Sequence, residues 1–144
     1  AAIGLSVHSL SQVEPGWRDE GVHAVQLFRD GDEAAWRRFV PAALERLRAE
    51  PGIDVAAATT AAPLAVVGSW NIDLWRAGRS EEEPYQVLLR RVDEQYLSLL
   101  EVPLRRGRGF GPADREGAPP VAIINEALAR ASFAGEDPIG PRIG

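Results

Sequence analysis

From Gly21 to Phe28 the chain reads GVHAVQLF, with Val22, Ala24, Gln26 and Phe28 on one side and His23, Val25 and Leu27 on the other. That alternation predicts a strand. The period then changes. Between Asp32 and Glu50, the residues Trp36, Phe39, Val40, Ala43, Leu44 and Leu47 recur at helical spacing, and Arg37, Arg38, Glu45, Arg46 and Arg48 are left for the wet side. Pro41 falls inside this helix, where it removes one backbone donor and crowds the carbonyl of Arg37, so a kink or a break into two shorter helices is expected. Pro51 and Gly52 stop the helix, and Ile53 to Thr60 can return as a strand. The three pieces predict a β-α-β unit with parallel strands and a right-handed crossover.

Alternation resumes from Ser69 to Arg76, with Trp70, Ile72 and Leu74 opposed to Asn71, Asp73 and Trp75, as in a half-buried strand. A charged connector, Gly78 to Pro84, leads into Tyr85 to Val92, where Tyr85, Val87 and Leu89 share a face; the two segments predict an antiparallel pair. Asp93 can then cap a short helix that turns Tyr96 and Leu99 or Leu100 inward. From Asp114 to Ile143 the chain reads as turn, strand, helix, turn. Gly117, Pro119 and Pro120 break it, Val121, Ile123 and Ile124 give the apolar run of a buried strand, and Asn125 caps a helix with Leu128 and Phe133 on one face. Gly135, Asp137, Pro138 and Gly140 end that helix. The fold class expected is α+β.

The 144 residues are 45% apolar and 26% charged, enough for one modest core or two small subdomains. A net charge of −5 argues against a nucleic-acid footprint, which needs a concentrated positive field. All 16 basic residues are Arg, beside abundant Ala, Gly and Pro. GC-rich coding produces that pattern without selection for guanidinium chemistry, so arginine clusters carry less weight here. With no Cys, disulfides, thiolate metal sites and a cysteine nucleophile are excluded. There is no Met, even at position 1, so an internal fragment of a longer chain is expected. Ala1 to Val13 is mildly apolar, too short to span a membrane alone, and lacks the basic flank of a secretory signal. On pattern alone it is an ordinary frayed surface helix.

Candidate chemistry is sparse. His8 and His23 stand without a metal-ligand spacing, and Ser69 lacks the glycine frame of a nucleophile elbow. The acidic run Glu81 to Glu83 and the pair Asp93 and Glu94 read as solvated carboxylates at a connector and a helix start. A hydrolase built from Asp93 or Glu94 with His23 would require their proximity and a perturbed titration. Arg105, Arg106 and Arg108, interleaved with Gly107, Gly109 and Gly111, invite a phosphate-cradle reading. Their context does not match: Pro112 and a polar turn follow Phe110 where a helix N-terminus would be needed, and the chain has no Lys for a P-loop. No residue is assigned to catalysis, a cofactor, a metal or substrate contact.

The string from Val102 to Phe110, VPLRRGRGF, followed by Asp114 to Ile143, resembles the extracytoplasmic core domain of MacB/FtsX-type ABC transporter permeases. In that family a similar arginine-glycine turn precedes an aromatic residue, and an acidic residue is more usual where this chain has Gly109. The resemblance runs from about Val13 to Ile143 and is strongest after Val102. It implies that residues 1–14 are the end of a first transmembrane helix or a juxtamembrane segment. Residues 15–62 would be the first half of a porter-like subdomain, and 63–144 a small, Sabre-like α/β subdomain of a truncated core. The implied function is to couple ATP-driven movements of the membrane complex to export or extraction of a substrate, without enzymatic activity of its own. Implied partners are an ABC ATPase, the rest of the permease and a periplasmic adaptor, in a dimeric permease with this domain on the periplasmic side of the bacterial inner membrane. No cofactor and no nucleic acid are implied. The contrasting reading, from the residues alone, is a freestanding soluble binding module in which the region of Trp70 and Trp75 lines a small apolar pocket. The transport reading further expects the isolated chain to expose an apolar sheet face and self-associate.

Overall fold

In the computed structural model, residues 16–18, 20–27, 32–61, 70–75 and 84–144 are described. They form a mixed α+β structure in order helix, two strands, helical turn, helix: α1 (Glu33–Ala49), β1 (Trp70–Leu74), β2 (Tyr85–Leu89), α2 (Tyr96–Leu99) and α3 (Glu126–Phe133). They group into two compact units, one within Ala1–Ala56 and Gln95–Pro103, the other within Ala57–Glu94 and Leu104–Gly144.

In the first unit, α1 starts where Asp32 accepts a hydrogen bond from the Ala34 N–H through its side chain, at 2.9 Å. Of the kink or break expected at Pro41, the break does not occur: one continuous helix runs through it. A proline costs one intrahelical bond and a local clash, and the sixteen other residues of this helix outweigh that. Its apolar stripe is the drier side, with Trp36, Val40, Ala43 and Leu44 half-buried, yet Phe39 is 48% exposed and no residue of α1 is buried. Trp36 and Phe39 stack at 5.5 Å between ring centroids. Beyond the helix, the Arg48 fork donates to the Ala56 carbonyl from Nε at 3.0 Å and Nη2 at 2.8 Å, pinning the loop that leaves it. The Arg18 N–H donates to the Leu100 carbonyl at 2.7 Å, and Arg18 Nη1 meets Glu101 Oε1 at 3.1 Å.

The strand expected at Gly21 to Phe28 does not form over its described residues. Alternation supplies two faces but no ladder: nothing described pairs with 21–27, and Val25 is 83% exposed. The helix expected to open at Asp93 begins later, at Tyr96, with Gln95 at the cap position making no side-chain cap hydrogen bond.

The second unit holds the sheet. β1 and β2 are antiparallel in the register Trp70↔Leu89, Ile72↔Val87 and Leu74↔Tyr85, so the alternating residues meet on one face as expected. Leu74 is buried there, and Tyr85 Oη donates to the Ala131 carbonyl of α3 at 2.8 Å. β2 stops at Leu89, short of the expected Val92. Val92 instead bridges Thr59 in antiparallel sense, flanked by Thr60 N–H to Arg91 O and Asp93 N–H to Ala58 O, both at 3.0 Å. Ile53 to Thr60 is therefore not the parallel return strand of a β-α-β unit among the described residues; its end pairs with the chain leaving β2. The same bond occupies the backbone of Asp93, which the sequence assigns to a helix cap. Val121 to Ile124 forms no strand, buried or otherwise, and Val121 is 47% exposed. Pro119 and Pro120 just before it cannot donate to a ladder. Asn125 does cap α3, its Oδ1 accepting from the Leu128 N–H at 2.8 Å, and Ser132 and Phe133 close the helix as buried residues.

Candidate functional site

The arginine-glycine turn is where the second unit concentrates its polar organisation. Gly107 takes φ +79°, a left-handed conformation that favours glycine, and a Cβ there would stand a tight 3.1 Å from the tip of the Ile139 side chain at Cδ1. The bend carries Arg105, Arg106 and Arg108 to three different carboxylates. Arg108 makes the tightest pair: Nη1 to Asp114 Oδ2 at 2.6 Å and Nη2 to Oδ1 at 2.7 Å. Asp114 Oδ2 also accepts the Gly111 N–H at 2.9 Å, and the Asp114 N–H donates to the Gly111 carbonyl at 2.8 Å. The Asp114 side chain keeps only 10% of its exposure. The Arg108 hydrogen bonds, then that of Gly111, hold the Asp114 carboxyl down to about 2, and the same pair raises Arg108. A fork on a carboxylate with a backbone donor closing the ring fixes this turn geometrically.

The other two arginines extend the knot. Arg106 Nη2 lies 2.9 Å from Asp137 Oδ2, while Asp137 Oδ1 accepts the Ile139 N–H at 3.0 Å. That backbone bond, then the nearby Arg106, lowers the Asp137 carboxyl. Arg105 Nε is 3.3 Å from Glu126 Oε1, and Glu126 Oε2 is 3.3 Å from Arg130 Nη1. These outer pairs are exposed and stabilise little. Collectively they spend on carboxylates the guanidinium groups that a phosphate cradle would need free. The family-like turn thus finds its acid in Asp114, five residues beyond Gly109, a partner that spacing rules do not reveal.

Within either unit, the remaining candidates form no further site among the described residues. His23 is exposed and lies in the first unit, whereas Asp93 and Glu94 lie in the second. His8, Ser69 and Glu81 to Glu83 lie outside the described residues. Among the described residues, no group of three or more His, Asp or Glu could hold a metal ion. Trp70 carries the Arg91 guanidinium 5.4 Å above its ring. The open depression over Pro112, Ala113, Arg115, Glu116, Gly117 and Ala118 includes neither Trp70 nor Trp75.

No curated protein and no solved structure matches the chain. The family model described as the MacB-like periplasmic core domain matches residues 2–144. That family is a transporter domain rather than a catalytic one, and it implies work with an ABC ATPase and the membrane part of the permease. Among the described residues no helix is long and apolar enough to cross a membrane. With the match extending over nearly its whole length, the chain belongs to the MacB-like periplasmic core domain family, the periplasmic domain of inner-membrane ABC transporter permeases.

Proposed function

We propose that this domain couples ATP-driven movements of the membrane complex to export or extraction of a substrate. The observation that carries the reading is the family match across residues 2–144. The turn supports it: a domain that transmits displacement needs rigid corners, and the Arg108–Asp114 fork with its Gly111 closure is such a corner. In this reading residues 15–62 are half of a porter-like subdomain, 63–144 a small Sabre-like subdomain, and 1–14 the end of a membrane helix. A periplasmic adaptor and a second permease copy complete the assembly.

The test is Arg108→Glu in the intact permease, reconstituted with its ATPase. ATP hydrolysis should persist while extrusion of the transporter's cargo falls. Undiminished extrusion with the turn opened would sink the coupling role of this corner. The family match does not favour the contrasting reading, a freestanding binding module.

A further inference from the structure

The edge of β1 that faces away from β2 is already engaged at one end. Trp75, directly after the strand, donates its N–H to the Gly144 carbonyl at 2.6 Å and accepts the Gly144 N–H at 2.9 Å. Two bonds exchanged between one pair of residues are the narrow rung of an antiparallel ladder. In a strand the N–H and C=O of one residue point to the same side, and successive residues alternate. Because Trp75 points at Gly144, Asn71 and Asp73 present their backbone groups to that same edge, while Trp70, Ile72 and Leu74 serve β2. The opposite neighbour agrees: Pro84, across from Trp75 on the β2 side, has no N–H to offer. Among the described residues, nothing bonds the outward backbone groups of Asn71 and Asp73.

We propose that this edge is a docking edge for a third antiparallel strand, in the order β2-β1-β3, and that the strand is the stretch of this same chain that follows Gly144 in the intact permease. Polarity and register are set by the existing rung. The first residue after Gly144 opposes Leu74, and the second and fourth exchange hydrogen bonds with Asp73 and Asn71. A strand from another molecule is disfavoured because the entry to the edge is held by Gly144 itself. The added strand also removes an open edge and converts a two-stranded ribbon, marginal by itself, into a three-stranded sheet. The inference needs family membership but not coupling, so it stands or falls separately from the transport reading.

Residue-resolved amide hydrogen exchange on the intact permease tests it. The Asn71 and Asp73 amides should be protected as well as those of β2, and Gly144→Pro, which deletes the rung's donor, should speed their exchange by about tenfold or more while leaving β2 protected. Free exchange of both amides in the unaltered permease overturns the proposal, as does protection that survives Gly144→Pro. Should that substitution also open β2, a cysteine pair decides: Ile72→Cys with cysteine at the third residue after Gly144, facing positions of a wide rung. A disulfide within one chain upholds the strand; no disulfide, or one between two chains, refutes it.

Discussion

The helices α1 and α3 begin alike and end differently. Asp32 and Asn125 each place a side-chain oxygen on an early N–H, at 2.9 and 2.8 Å. Yet the 17 residues of α1 bury none of their side chains, whereas the 8 residues of α3 bury Ser132 and Phe133, with Phe133 at 2% exposure. Each shows an amphipathic stripe in the sequence. Periodicity therefore reports which side of a helix can be buried, and the surrounding chain decides how deeply it is. α1 rests on its cap, on helix propensity along its length and on partial cover, while α3 is short enough that tertiary contact must hold it.

That difference breaks first at Phe133. Phe133→Ala should cost about 3–5 kcal/mol, read as a shift in the denaturant midpoint, because a fully enclosed ring leaves a cavity. Phe39→Ala, removing a ring that is 48% exposed, should cost under about 1 kcal/mol in the same assay. Equal losses at the two positions would abolish the contrast. Next come the caps: Asn125→Ala and Asp32→Ala should each lose about 1 kcal/mol, and the smaller helix should lose more of its helical circular dichroism. At the other end of α3, Ala134 sits at φ +45° followed by Gly135 at φ +90°. Ala134→Gly should raise stability by about 0.5–1 kcal/mol, since glycine adopts the left-handed cap without strain.

The smallest effect near neutrality is that of pH on the turn. Asp114 has its folded-state carboxyl depressed to about 2 from an ordinary 3.8, so its contribution is fully present above the ordinary value. Stability should be insensitive to Asp114 between pH 8 and 5 and should fall as pH drops from about 4 toward about 2. Asp137, also lowered, acts in the same direction. A carbon-detected titration placing the Asp114 midpoint near 4 would show that the fork is not formed in solution.

Local patterns carried much of the fold. The alternation around Trp70 to Leu74 and Tyr85 to Leu89, the helix after Asp32 and the Asn125 cap all follow from side-chain periodicity and cap chemistry, which act within a few residues. The strands expected at Gly21 to Phe28, Ile53 to Thr60 and Val121 to Ile124 were not legible in the same way. A strand depends on a neighbour whose identity its own residues do not encode, and Thr59 found Val92 rather than a parallel partner. The site divided similarly. The Arg-Gly turn was visible as a motif, but its neutralisation by Asp114, Asp137 and Glu126 was not, because ion pairing depends on how the chain folds back.

By itself the sequence determined the family, the mixed α+β class, the starts of α1 and α3 and the absence of thiol chemistry, all properties of residue type and short-range order. Only the tertiary structure decided that Arg108 closes on Asp114, that Arg48 holds the Ala56 carbonyl, that Pro41 is absorbed and that Gly144 opens a rung on β1. Apart from Pro41, each of those depends on how the chain folds back, over six residues for Arg108 and Asp114 and over a long stretch for Trp75 and Gly144, where direction and distance, rather than composition, select the partner.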